Sequence, residues 1–400
     1  MFCSASVGTL GNPAVNPFPW QFRLANVAGT QEPIYGPSAI QSVAAQAQAQ
    51  AHGQPTSYHE LTKDDLRWKA MQSTCVETQT FYLFSDNGDI AMLQVIYSNV
   101  AGIHTTCHFN SKIYATDGKS EHRWCSDSIR DYMFDEDMLS FGGENIALTL
   151  NAEGDTYTVK SAMNPDSLVN VTLKRTAPGF AAGRDGTSYF GTDPKNPWGS
   201  MRHVFWPRCQ VEGSIISPER EIDFKGRGVF IHALQGMKPH HLAARWNFGT
   251  FQSPAYSAVF MEYTTPPSYG STVVSVGGVV KGGEIVCAGP VQPAVHLESE
   301  KDDYTSWPQP KSVRLTWDGK TKDGEPVSAV LEGSLGRRLD RVDVMAEVPG
   351  IIKSIAGSVA GTKPYIFQYA PQDKLPLQVR IGDSEESEHG TLYLEATFIS

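Results

Sequence analysis

The stretch "TQTFYLFSDNGDIAMLQVIYSN", residues 78–99, decides the fold class of this chain. Two β-rich runs flank Asp86-Asn87-Gly88, a turn tripeptide suited to positive φ, so the stretch reads as a β-hairpin. The same grammar recurs downstream. "IALTLNAEGDTYTVKS" (146–161) turns at Glu153-Gly154, with Thr156, Thr158 and Lys160 alternating against Tyr157 and Val159. "SLVNVTLKR" (167–175) continues the alternation, whereas residues 177–201 read as a long glycine-rich loop. Beyond residue 222, strand-and-turn text resumes at 255–289, 311–333 and 390–400. Short strands at roughly 8–12-residue spacing are the mark of a sandwich or barrel. The expectation is an all-β protein with two β-barrel-like domains in tandem, 56–222 and 223–400, behind a segment 1–55. One helix-like insertion, 349–364, interrupts the second half.

Composition agrees. A chain of 400 residues has room for roughly two domains. Its 36 glycines and 25 prolines imply many turns, which favours strands over helices. A net charge of −10, without a basic stripe, argues against nucleic acid as a partner. The six cysteines are scattered and form no CxxC, so buried thiols in a reducing compartment are expected. No charge precedes Arg23, as a basic signal-peptide n-region would require, and no apolar run approaches the ~18–20 residues that span a bilayer. These features point to the cytosol or nucleus.

Residues 1–19 carry Pro13, Pro17 and Pro19 and should not hold a helix. In the next ten residues, Trp20, Leu24 and Val27 recur at i, i+4 and i+7, a short amphipathic pattern. Residues 43–56, rich in Ala and Gln, read as a linker.

Two polar-in-apolar stretches carry the candidate chemistry. "FIHALQGMKPHHLAARWNF" (230–248) holds His232, His240 and His241. Zinc needs three or four convergent ligands, but adjacent His240 and His241 diverge, no H-E-x-x-H is present, and Arg245 would repel a cation. No metal or cofactor is expected. Phe230–Met237 reads as an early strand of the second barrel, with Lys238-Pro239-His240-His241 as the turn and Arg245-Trp246 as the return. "WGSMRHVFWPRC" (198–209) places His203 and Phe205 on one strand face, Arg202 and Trp206 on the other. Plain core packing explains such a strand. Together, however, the stretches set a few polar groups in an apolar lining, as a hydrophobic-ligand pocket requires. There is no G-x-S-x-G elbow and no P-loop, and neighbouring Cys and His on a strand cannot face each other. Asp302-Asp303 lies in a charged, turn-rich run and reads as a solvated loop.

Residues 65–84, 95–106, 175–209, 230–248, 264–274, 338–350 and 360–369 together resemble the fungal survival factor 1 family, and the likeness runs from about Leu24 to Ser400. That resemblance implies two lipocalin-like β-barrels in tandem and a non-catalytic, monomeric ceramide carrier. Such a carrier would move ceramide from endoplasmic reticulum to early Golgi and support sphingolipid synthesis and survival under oxidative stress. It further implies a cytoplasmic and nuclear protein that touches both membranes peripherally through an N-terminal amphipathic helix. On this reading the lipid contacts are His203, Phe205, Trp206, His232, Gln235, Met237 and Trp246. The membrane contacts are Trp20, Phe22, Leu24 and Val27. The rival readings are an isoprenoid or polyketide hydratase or cyclase, since tandem lipocalin-like folds also host those, and a stress-response scaffold without a cavity.

Overall fold

The computed structural model describes residues 33–50, 56–115, 122–347 and 363–400. The membrane candidates Trp20, Phe22, Leu24 and Val27, and nearly all of the insertion 349–364, lie outside the described residues.

The opening hairpin forms where expected. Strands Cys75–Ser85 and Ile90–Val100 pair antiparallel, and Gly88 takes φ +92° at the turn. They continue into His104–Tyr114 and Arg123–Ser128 as a meander. On the other side of Cys75–Ser85 the sheet runs through Gly226–Gln235, Gly199–Ile216, Ser167–Arg175, Thr156–Asn164, Ile146–Leu150, Phe141–Gly143 and Met133–Phe134. A second sheet runs in the order Glu284–Pro290, Val273–Lys281, Tyr256–Thr264, Arg245–Gln252, Ser384–Phe398, Leu375–Ile381, Pro326–Ser334, Pro308–Lys320 and Val295–Lys301. Each sheet curls about its own apolar core, giving two lipocalin-like barrels. The alternation predicted at 156–160 holds, with Tyr157 and Val159 buried and Lys160 exposed. Five cysteines are buried and unbridged.

A third apolar cluster fills the seam between the barrels. It explains why Phe81-Tyr82-Leu83-Phe84 is apolar without interruption. Phe81 and Leu83 point into the first barrel, while Tyr82 and Phe84 meet the second sheet, so both faces of that strand are buried. Tyr82 stacks on Phe248, centroids 4.9 Å apart.

Four expectations need correction. Gly226–Gln235 is not an early strand of the second barrel; it is sandwiched between Cys75–Ser85 and Gly199–Ile216 in the first sheet. Arg245–Gln252 is not its return but pairs with Tyr256–Thr264 and Ser384–Phe398, so the change of sheet falls between Gln235 and Arg245 rather than at residue 222. Residues 238–242 do turn, as the short helix Pro239–Leu242. The run 43–56 is not simply a linker. Val43–Gln50 is a helix whose buried residues Val43 and Ala47, one turn apart, face the seam. Alanine favours the helix and its methyl permits close approach, so the signature of low complexity concealed a packed element. Finally, the glycine-rich stretch contains strands Phe180–Ala182 and Thr187–Phe190. They pair with Tyr58–Glu60 and Ile40–Gln41 and so recruit residues before 56 to the first sheet.

Candidate functional site at the mouth of the first barrel

Strand Gly199–Ile216 shows the expected alternation, and that alternation separates the expected pocket. Met201, His203 and Phe205 take the seam side; Val204 and Trp206 face the first-barrel interior. Of the seven candidate lipid contacts, His203, Phe205, Met237 and Trp246 therefore sit in the seam, whereas Trp206 and His232 sit inside the barrel. Gln235 Nε2 donates to the Met237 carbonyl (3.0 Å) and closes its own turn. In the seam, His203 stands edge-on to Trp246, with Phe205 stacked beside it. Burial, and after it the Arg202 charge, push the His203 imidazole down to about 3, so it stays neutral at physiological pH. Burial likewise takes His240 to about 4, aided by Lys238. Among the described residues, no three His, Cys, Asp or Glu side chains gather as metal ligands do.

The interior side carries more chemistry. Glu77, Gln79, Phe81 and Leu83 share one strand parity, so two polar residues enter the barrel in line with two large apolar ones. Glu77 is fully buried and accepts from His232 Nε2 at 2.8 Å. It also accepts from the backbone N–H groups of Lys69 (2.8 and 3.1 Å) and Ala70 (2.8 Å). Gln79 Nε2 donates to the Leu66 carbonyl at 3.3 Å. Together they hold residues 66–70 across one end of the barrel. Trp68 is thereby seated over His232 (centroids 5.5 Å apart) and against Phe134 and Phe141.

Above Trp68 the barrel opens into a cavity of about 540 Å³ lined by Lys69, Ala70, Met71, Gln72, Tyr97, Thr105, Tyr132, Phe134 and Met138. That volume lies in the range of small-ligand sites, and its wall is mostly aromatic and methionine. The Tyr132 hydroxyl donates to Thr105 Oγ1 (3.0 Å), tying the two lips together. Trp68 and His232 do not line the cavity themselves; they are buried behind Phe134, and the Trp68 indole nitrogen and His232 Nδ1 have no protein partner. His232 Nε2 is engaged by the Glu77 carboxylate, which leaves Nδ1 as the ring nitrogen without a partner. The two rings stand 5.5 Å apart between centroids. Leaving each nitrogen buried and unpaired costs about 1–3 kcal/mol, and a ligand bearing both complements would recover that.

Backbone strain marks the same place. Seven described non-glycine residues have positive φ, and four of them, Ala70 (+39°), Ala101 (+56°), Asp131 (+48°) and Met138 (+58°), lie around this mouth. Such conformations cost of order 1–3 kcal/mol each and gather where function requires a set geometry. A second depression, about 340 Å³, mixes Arg208, Lys225 and Arg227 with Asp86 and suits no alkyl chain. Sequence reasoning found His232 but missed Glu77, Trp68, Tyr97, Tyr132 and Phe134. The strand parity of Glu77 with Phe81 was the available signal.

Comparisons with known proteins come to the same fold. The structure of CghA with Sch210972 superposes with a TM-score of 0.56 over 86% of this chain and 98% of that one, at 12% identity, which bears on fold alone. Ceramide-binding protein svf1 of Aspergillus fumigatus is 63% identical, covering 94% of this chain and 98% of its own length. The protein of that name from Emericella nidulans is 60% identical, covering 94% and 98%. The model of the Svf1 family matches residues 18–400, and the chain belongs to that family.

Proposed function

We propose that this chain is a non-catalytic ceramide-binding protein that takes its lipid at the mouth of the first barrel. The observation that carries the reading is the 63% identity, over nearly the full length of both chains, to a protein named for binding ceramide. The mouth suits that ligand chemically. A ceramide amide offers one acceptor and one donor, and two ring nitrogens buried behind this lining, Trp68 Nε1 and His232 Nδ1, have no protein partner. Tyr97, Phe134 and Tyr132 supply rigid apolar wall, while Met71 and Met138 are unbranched thioethers that re-pack around a chain. Each buried methylene contributes roughly 0.8 kcal/mol, so shelter competes with a bilayer only when most of the alkyl chain is covered.

The wider role is carriage of ceramide from endoplasmic reticulum to Golgi by a cytoplasmic and nuclear protein, supporting sphingolipid synthesis and survival under oxidative stress. Its support is the family resemblance in the sequence. The test is to purify the protein, extract it with organic solvent and identify the released lipid by mass spectrometry. Near-stoichiometric ceramide is the expected result. Protein that neither carries ceramide nor takes it up when offered would overturn the reading.

A further inference from the structure

Two large apolar side chains stand almost free in water on the two lips of this mouth. Ile103 is 90% exposed and Met133 is 68% exposed. Neither position is a loose tip. Ile103 ends a three-residue turn in which Ala101 and Gly102 both adopt left-handed φ. The Ala101 N–H donates to Thr74 Oγ1 (3.1 Å), and the Gly102 N–H donates to Asn99 Oδ1 (2.9 Å). A Cβ on Gly102 would lie 2.6 Å from the Gln72 carbonyl oxygen, so the turn is pressed onto the cavity lining. Met133 follows Asp131, another left-handed residue, and Tyr132, whose hydroxyl reaches Thr105 across the opening. The fold thus sustains strain and directed hydrogen bonds on both lips and presents an isoleucine and a methionine outward. Just inside them stand Tyr97 and Tyr132, rings that are apolar in body and polar at the tip. That order, alkyl groups outermost and phenols behind, matches the depth profile of a bilayer surface.

We propose that this rim is a membrane-docking surface, in which Ile103 and Met133 insert into the alkyl region of a bilayer and bring the mouth against the lipid it takes up. The proposal rests on the mouth being the lipid site. Charge specifies the kind of membrane. Around the rim Lys69, Arg130 and Arg67, which pairs with Asp137, are outnumbered by the exposed Asp131, Asp135, Glu136 and Asp137. Acidic lipid is therefore not what attracts it, and docking depends on apolar insertion, which salt does not screen.

The test uses the full chain with Cys3→Ser, because the five described thiols are buried. An environment-sensitive dye is placed in turn at Ile103→Cys, Met133→Cys and, as a control at the far end of the same barrel, Leu168→Cys. On addition of phosphatidylcholine vesicles, dye at 103 and 133 is expected to brighten and shift to the blue, while dye at 168 stays unchanged. Raising the salt leaves the response intact. This readout is specific to the rim even when another segment also anchors the protein, and it requires no ligand to be bound. In parallel, Ile103→Asp with Met133→Asp slows extraction of ceramide from vesicles about tenfold or more, as loss of two inserted side chains implies, and Ile103→Leu with Met133→Leu restores it. Uptake of a water-dispersed short-chain ceramide stays at the wild-type level. Dye at 103 and 133 that remains in water with vesicles present, or extraction unaffected by the aspartates, would overturn rim docking. Failure of the wild type to take up even the short-chain lipid would instead remove the ceramide reading.

Discussion

At the residue scale, the pair that matters is Trp68 with His232, and each is held by something other than itself. Glu77 orients His232 from one side and fixes the Lys69–Ala70 backbone from the other, so one buried carboxylate ties the interior histidine to the cavity lining. Trp68→Phe keeps most of the ring and removes the N–H. It is expected to weaken ceramide binding about tenfold with little change in melting temperature, as read by lipid competition and thermal unfolding. Unchanged affinity would show that the indole N–H does not meet the ligand. His203 gives a separate, pH-dependent prediction. Its folded pKa, about 3, lies below the ordinary value of about 6.5, so the unfolded chain binds the proton first. The stability it contributes is complete above about pH 6.5 and is lost as pH falls toward 3, at up to about 1.4 kcal/mol per pH unit. Urea unfolding of His203→Phe should accordingly depend less on pH between 6.5 and 4 than the wild type does.

At the element scale, the strands were legible because a half-buried strand writes period two into its sequence, as at Tyr157 and Val159. The helix Val43–Gln50 was not legible. Its buried face is made of Val43 and Ala47, and small side chains leave hardly any hydrophobic periodicity to detect. Closeness to its neighbours is what it contributes: a Cβ on Gly183 would sit 3.5 Å from the Ala47 methyl and 3.5 Å from Val43. Ala47→Asp should therefore cost about 2–4 kcal/mol by burying an unpaired carboxylate, whereas Ala45→Asp on the exposed side should stay within about 0.5 kcal/mol. Chemical denaturation of both variants distinguishes a packed strut from a dispensable tether. The pattern at Phe230–Met237 correctly signals a strand but not its sheet, because apolar alternation records which faces are buried and not by what.

At the scale of the whole molecule, the barrels are joined by a polar cluster set into the apolar seam. Lys112 Nζ from the first barrel meets Asp340 Oδ2 (2.5 Å) and Gln368 Oε1 (2.8 Å) of the second. Beside it, the Tyr114 and Tyr393 hydroxyls lie 2.6 Å apart, and Tyr393 donates to Glu395. Burial, then the Glu395 charge, hold these two phenols well above their ordinary range, so they stay protonated donors. Burial would raise the Asp340 carboxyl, yet the hydrogen bond and charge of Lys112 outweigh it and hold the group low. Its stabilising contribution is present above about pH 4 and declines as pH falls further, toward the depressed folded value. Lys112→Ala should cost about 3 kcal/mol at neutral pH and flatten the acid limb of stability, measured by denaturant unfolding across pH. Adding Asp340→Ala should return part of that loss, since the carboxylate no longer waits for its partner. An unchanged acid limb in Lys112→Ala would show that the Lys112–Asp340 pair does not contribute to holding the two barrels together.

The sequence by itself determined the all-β class, the hairpins at Asp86-Asn87-Gly88 and Glu153-Gly154, and the split of residues 201–206 between two strand faces. These are local properties: turn geometry and a two-residue period leave their record within a few neighbours. The resemblance carried by its longer motifs determined the family. Only the tertiary structure decided which sheet Gly226–Gln235 joins, that His203 and His232 lie on opposite sides of that sheet, and that Trp68, in the segment held by Glu77 and Gln79, packs behind the lining of an open mouth. Those outcomes depend on hydrogen bonds and packing between residues far apart in the chain, such as Glu77 with His232, and no local pattern encodes which distant partner a buried polar group will find.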